Sequence, residues 1–200
     1  MKVSVQGRSL KSGLWWTQRA LFAAAIVLLG YSGYVLLDTW VFQSQENAAL
    51  ERFVPERPAA NTVTLPSVVG PDGLIGRIEV PRLNLTVVVF EGTTNKTLRR
   101  AAGHITGTAL PGQIGNVGIA GHRDTFFRPL RNIHLDDIIT LTTLSGAYRY
   151  RVVSTKVVHP DNVAVLNPDG TEILTLVTCY PFYFVGPAPD RFIVRAQRVT

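Results

Sequence analysis

Hydrophobic and polar positions divide this chain into two unlike patterns. From Ala20 to Leu37 runs an uncharged stretch of 18 residues with no alternation. From Leu74 onward, apolar residues come in short β-branched or alternating runs broken by turn residues. An unbroken run of the first kind predicts a helix that is apolar all round, and short runs of the second kind predict strands. The strand candidates are Leu74–Val80, Leu85–Phe90, Asn116–Ala120, Ile138–Leu144, Tyr148–Val158, Ile173–Cys179 and Phe192–Ala196. Tyr148–Val153 alternates aromatic or aliphatic with basic residues, as a half-exposed strand does, and Ser145-Gly146 supplies a hairpin turn before it. Thr93–Ala101 reads as a helix capped by Thr93 or Thr94, while Phe126–Arg131 and Val163–Leu166 read as single helical turns. Many short strands with brief helices predict an all-β domain, an antiparallel barrel or sandwich.

The apolar stretch is about 27 Å long as a helix, close to the thickness of a bilayer core. Trp15 and Trp16 precede it and Trp40 follows it, where interfacial aromatic residues belong. Lys2, Arg8, Lys11 and Arg19 lie before it with no acid, and Asp38, Glu46 and Glu51 lie after it. By the positive-inside rule the N-terminus is cytoplasmic and residues 41–200 are outside. A cleaved signal peptide has a shorter apolar core and a small-x-small site, for which Ala48-Ala49 is a weak match. A core helix is not normally flanked by four cations on one side. The division expected is a cytoplasmic basic arm (1–19), a transmembrane anchor (20–42), an extracytoplasmic linker (43–72) and a folded domain (73–200). Pro55, Pro58, Pro66 and Pro71 break the linker, although Gln43–Arg52 can continue the helix.

Charge changes the picture only at the N-terminus. The chain has 20 basic and 14 acidic residues and a net charge of +6, but four of the basic residues belong to the first 19. The rest is close to neutral, which removes the main support for nucleic-acid binding. Charged residues are 17% of the chain and hydrophobic ones 46%, which excludes a disordered chain.

Candidate chemistry centres on Cys179, the only cysteine. Alone it forms neither an intramolecular disulfide nor a multi-thiolate zinc site. It ends a strand candidate, and Pro181 follows two residues later. Such a thiol is either a small buried hydrophobe or a nucleophile, and a nucleophile needs a base or a cation nearby. His122 follows a strand candidate and Gly121, a placement that matches that of Cys179. His134 and His159 sit in turn-like surface contexts, and His104 reads as structural. Arg191 comes back after a loop holding Pro181, Gly186, Pro187 and Pro189, so an antiparallel pairing would set it beside Cys179. A guanidinium there either steadies developing negative charge or caps a barrel rim. Gly112, Gly115, Gly118 and Gly121 recur every third residue without the Lys-Ser/Thr of a phosphate cradle, and read as turn and packing glycines.

Together these segments resemble the sortases, membrane-anchored cysteine transpeptidases of bacterial surfaces. Thr175-Leu176-Val177-Thr178-Cys179 is similar to the sortase TLxTC signature. Ala120-Gly121-His122-Arg123-Asp124-Thr125, with Phe127 beyond, resembles the histidine segment, and Asp190-Arg191-Phe192-Ile193-Val194 the arginine strand. Leu110-Pro111-Gly112-Gln113 and Thr178-Cys179-Tyr180-Pro181-Phe182 are most like class D. The resemblance covers about Leu74 to Val199, so that residues 73–200 become a sortase catalytic domain. It implies a closed eight-stranded β-barrel and cleavage of a Leu-Pro-x-Thr sorting motif after its Thr. It makes Cys179 the nucleophile, His122 the proton carrier, Arg191 the group that binds motif or oxyanion, and Thr178 a help in holding substrate. The partners implied are surface proteins with a C-terminal sorting signal, an amine of the cell envelope and membrane lipid, with no cofactor and no metal. Residues 43–72 carry no lid motif of the pilin-polymerising class. Two other readings use the same residues: a cysteine peptidase that only hydrolyses, and a non-catalytic membrane-tethered β-domain.

Overall fold

The computed structural model describes residues 7–53, 69–70, 73–184 and 186–199. The four prolines expected to break the linker lie outside the described residues. The chain falls into two units, residues 1–42 and residues 43–200.

Helix α1 covers Gly7–Phe53, 47 residues, and so runs through the segment expected to continue the membrane helix. Within it, Leu14–Gln45 is long and apolar enough to cross a membrane. Leu21, Ile26, Leu28 and Leu36 are exposed along it. A core helix would bury those side chains, so an apolar helix that leaves them uncovered does not fit that reading.

The second unit is a closed barrel. Its strands are β1 (Leu74–Val80), β2 (Leu85–Glu91), β3 (Ala102–His104), β4 (Gly115–Ala120), β5 (Ile138–Thr143), β6 (Gly146–Val158), β7 (Glu172–Tyr180) and β8 (Asp190–Val199). Around the barrel the order is β1-β2-β3-β4-β7-β8-β6-β5, returning to β1. Ile78, Val87, Val89, Val117, Ile119, Leu141, Tyr148, Tyr150, Leu174, Leu176 and Val194 fill the interior. On β6 the alternation reads out directly: Tyr148, Tyr150 and Val152 are buried and Arg149, Arg151 and Val153 are exposed. The β5–β6 hairpin turns through Leu144 and Ser145, where the Thr143 hydroxyl accepts from the Ser145 amide and donates to the Gly146 carbonyl. Helix α2 (Asn95–Arg100) starts at Thr94, whose hydroxyl accepts from the Thr97 amide.

The fold departs from the local pattern in two ways. Strand β3 is three residues long, too short to show an alternation, and is not among the strand candidates of the sequence. The barrel is also not purely antiparallel: β2 pairs with β3 and β4 with β7 in parallel. Strands β4 and β7 are buried on both faces over most of their length, which is why their sequences read as continuous apolar runs. Their outer face is covered by the chain before β4 and by the β6–β7 connection, which meet over Gly118 through Thr108, Ile105 and Leu166.

Candidate active site

The alternation of side chains decides which residues can meet. On β7, Leu174 and Leu176 point into the barrel, so Thr175, Val177 and Cys179 point outward. On β4, Val117 and Ile119 point inward, so Asn116, Gly118 and Ala120 point outward. The parallel register sets Ala120 opposite Val177. Two residues beyond that pair come His122 on one chain segment and Cys179 on the other. The antiparallel register of β7 and β8 sets Cys179 directly opposite Arg191. Cysteine, histidine and arginine thus come from one end of three neighbouring strands, β4, β7 and β8. His122 is exposed, and Cys179 and Arg191 are half-buried.

Hydrogen bonds hold the segments that carry these three residues. The Gly121 amide donates to the Val177 carbonyl at 3.1 Å, one step beyond the β4–β7 ladder. Thr178 is only 2% exposed, and its hydroxyl donates to the Gly121 carbonyl at 2.8 Å. That hydroxyl is thereby engaged within the protein, tying the histidine segment to the cysteine strand. A buried bond of this kind contributes about 1 kcal/mol. Gly121 is required by packing: a Cβ there would lie 2.7 Å from the ring of Phe127, a residue with no exposed surface. The Arg191 guanidinium donates through Nη1 to the carbonyls of Asp190, at 2.9 Å, and Ala188, at 3.3 Å.

A cleft of about 110 Å³ opens on the same outer face. Val177 and Arg191 form its floor, and Ile105, Val163 and Leu166 are among its walls. The wall from the β6–β7 connection is docked by Asn116, which is 2% exposed. Its Nδ2 donates to the Val165 carbonyl at 3.1 Å, and its Oδ1 accepts from the Thr175 hydroxyl at 2.7 Å. Gly118 lets both walls approach: a Cβ there would lie 3.0 Å from Leu166 and 3.3 Å from Ile105. The aromatic residues at the end of β7 and in the loop after it divide in two. Tyr180 and Phe182 pack on Phe192, with ring centroids 6.3 and 5.3 Å from it, while Tyr183 and Phe184 stay exposed.

Of the remaining histidines, His134 and His159 are exposed; His159 lines the cleft beside Arg191, with its Nδ1 3.2 Å from Asp161 Oδ2. His104 is 2% exposed; its Nδ1 is 2.7 Å from Glu91 Oε2, and its Nε2 is 2.9 Å from the Ala109 carbonyl oxygen. Asn116, which docks the cleft wall from the start of β4, and Arg123, beside His122, are residues that the sequence reading does not single out. A lone Asn inside an apolar strand run is the available sign for the first; the second, a charge in a turn, gives none. Among the described residues no three His, Cys, Asp or Glu side chains gather to hold a metal ion.

Comparison with known proteins agrees with this fold. Residues 78–199 match the sortase domain family. Sortase D of Bacillus subtilis (strain 168) is 32% identical over 192 residues, covering 90% of this chain and 96% of the relative. Sortase A of Listeria monocytogenes is 33% identical over 112 residues, covering 54% of this chain and 50% of the relative. Among solved structures, a Clostridium perfringens sortase D5 transpeptidase superposes with a TM-score of 0.58 at 32% identity, over 64% of this chain and 80% of that one. Sortase C1 of Streptococcus agalactiae superposes with a TM-score of 0.61 at 31% identity, over 66% and 71%. A barrel of this topology, with cysteine, histidine and arginine brought to one end of adjacent strands and a family match across most of it, belongs to the sortase family of cysteine transpeptidases.

Proposed function

We propose that this enzyme cleaves a Leu-Pro-x-Thr sorting motif after its Thr and transfers the protein to an amine of the cell envelope. The observation that supports the reading is the register, which sets Cys179 opposite Arg191 beside an outward-facing cleft that Arg191 lines, with His122 two residues past the Ala120–Val177 pair. The peptide lies along the cleft, with its Thr carbonyl at Cys179. The Cys179 thiolate attacks that carbonyl carbon, and the C=O pair becomes an oxyanion. Arg191 donates hydrogen bonds to the oxyanion or to a neighbouring motif carbonyl. The oxyanion collapses, the C–N bond breaks, and His122 gives its proton to the departing amine. A thioester on Cys179 remains. The incoming amine attacks it, His122 takes the amine's proton, and the thiolate leaves. Thr178 acts here by holding Gly121, and so the backbone of His122, next to the cysteine.

Intact-mass analysis after incubation with a pentapeptide library tests this. An adduct on Cys179 equal to the acyl fragment through Thr, released as an amide by added amines, is the expected result. Release only as the free acid would make the enzyme a hydrolase. No adduct would overturn the reading.

The same proposal includes the anchor. The basic arm before Leu14 and the long apolar helix support a single span with the barrel outside. Protease added to intact spheroplasts should remove residues 41–200, and protection of that region would refute the orientation.

A further inference from the structure

One guanidinium beside this site takes no part in the chemistry above. Arg123 follows His122 directly, yet its side chain is only 7% exposed. Burying a guanidinium is unfavourable unless its donors are satisfied, and here three of them are. Nη1 donates to the Pro181 carbonyl at 2.7 Å. Nε and Nη2 donate to the two carboxylate oxygens of Asp124, each at 3.1 Å. Pro181 lies two residues beyond Cys179. A side chain rooted next to the histidine therefore grips the main chain just past the cysteine.

The position of that grip matters. The β4–β7 ladder pairs Ala120 with Val177, and beyond it the two strands' ends are tethered by the Gly121 amide and the Thr178 hydroxyl. Both tethers lie before the level of His122 and Cys179. Arg123 supplies one after it. His122 and Cys179 are thus bracketed, with hydrogen bonds between their segments on either side. With the outer tether gone, the turn carrying His122 keeps the bond from the Phe127 amide to the His122 carbonyl but loses its one hydrogen bond, among the described residues, to the chain beyond Cys179. Asp124 braces the clamp by a bidentate bond along the Nε–Nη2 edge of the planar guanidinium, leaving Nη1 aimed at Pro181.

We propose that Arg123, braced by Asp124, is the positioning residue that fixes the placement of His122 against Cys179. This rests on the reading that those two side chains act together. Cys179 is the only cysteine in the chain, so alkylation by iodoacetamide, read by intact mass, reports on it without any substrate. The pH profile of that rate is compared for wild type, His122→Gln and Arg123→Gln. The profile of Arg123→Gln should move toward that of His122→Gln. For a sorting peptide, kcat should fall about 10- to 100-fold with KM changed by no more than about threefold, because the loss is one of geometry at the reacting groups. Arg123→Lys should recover part of the rate. Asp124→Asn keeps the guanidinium and loses only its brace, so its loss should be smaller. Combined with Arg123→Gln it should add nothing further.

Melting curves identify a variant that does not fold, and Asp124→Asn then carries the test alone. An alkylation profile of Arg123→Gln that overlays wild type overturns the clamp, as does full additivity of the two substitutions. A wild-type enzyme inert toward the peptide, with the alkylation profile still shifted in Arg123→Gln, leaves the clamp standing and refutes the sorting-motif reading.

Discussion

Two Gly-His pairs end adjacent strands of this barrel, and they have been given opposite tasks. Gly103-His104 closes β3, and Gly121-His122 follows β4; the two strands pair antiparallel, with Gly103 opposite Ala120. At the first corner the imidazole is enclosed. A carbonyl oxygen only accepts, so His104 Nε2 carries a proton toward Ala109. Thr108 agrees with that assignment: its hydroxyl donates to the Ile105 carbonyl and accepts from the Gly118 amide. Nδ1 shares a proton with Glu91, whose other oxygen accepts from the Thr106 hydroxyl. No ring position is left for a substrate. At the second corner, among the described residues, no hydrogen bond occupies the ring of His122. A proton carrier needs a free nitrogen that a reacting group can reach, and a structural histidine needs the reverse. The sequence context is the same at both corners; the difference comes from the short turn Ile105–Ala109, which folds back over one ring and has no equivalent over the other.

The largest expected effects break this comparison at its chemical end. Cys179→Ala should give no detectable thioester and no turnover, with the melting temperature close to wild type. His122→Gln should lower kcat/KM by about 10²–10⁴-fold, the range for loss of a general acid–base group. Turnover in His122→Gln within a few-fold of wild type would transfer the proton role elsewhere and collapse the contrast with His104.

Next in size is Arg191. Its register partner is the nucleophile, and Lys offers a point charge on a flexible stem where Arg offers a rigid fork. Loss of one donor to a developing oxyanion costs about 10²–10³-fold in rate. Arg191→Ala should lie in that range, and Arg191→Lys should recover only part of it. Steady-state kinetics beside a melting curve separates the roles. A large loss of stability with the rate per folded molecule preserved would make Arg191 a brace for the loop through Ala188 and Asp190.

The smaller effect at the structural corner has the opposite signature. His104→Leu takes the Nε2 donor from the half-buried Ala109 carbonyl and the Nδ1 partner from Glu91. Two hydrogen bonds at a net of about 0.5–1.5 kcal/mol each make the expected loss about 1–3 kcal/mol. Urea unfolding should show that loss, while kcat per folded molecule stays within a few-fold of wild type. A fall in kcat as deep as that of His122→Gln, in a folded variant, would erase the distinction between the corners.

Much of this was legible before folding. The strand runs, the apolar helix, the β5–β6 hairpin and the two strand-end residues Cys179 and His122 follow from local pattern and turn chemistry. The opposition of Cys179 and Arg191 required only that β7 and β8 pair antiparallel across their loop. The parallel neighbours were not legible. Strands β4 and β7 lie side by side although β5 and β6 separate them in the chain, and an alternation pattern carries no information about such partners. Strand β3 was hidden because three residues show no period. The role of His104 was legible only as a default, because Glu91 and Ala109 meet it through tertiary contacts. Arg123 stands in the segment that resembles the sortase histidine segment, but its role was hidden: a charge in a turn is ordinarily solvated, and local pattern does not show that its donors bond within the protein.

The smallest effect lies away from both corners and separates the pH dependence of stability from that of activity. Asp137 precedes β5 and is buried; its carboxylate accepts from the Arg82 guanidinium, through Nη2 at 2.6 Å, and from the His134 amide at 2.8 Å. The bond from Arg82 holds the Asp137 carboxyl below the usual carboxylate range, with the His134 amide assisting and burial opposing. A carboxyl whose folded value lies below its unfolded one, about 3.9, stabilises the fold fully above that pH. The contribution fades as the pH falls through the lower, folded value. Asp137→Asn keeps the shape and removes the charge, so the variant should unfold at lower urea than wild type at pH 7. The gap should stay constant down to about pH 5 and narrow below about pH 4, where wild type loses the same contribution. Urea midpoints at several pH values measure it, beside kcat for the sorting peptide, which should keep its pH profile because Asp137 touches none of Cys179, His122 or Arg191. A gap that persists unchanged to about pH 3, below the unfolded value, would mean that the Arg82 contact stabilises the protein by its shape and not by its charge. A shifted kcat profile would tie this remote pair to the catalytic corner.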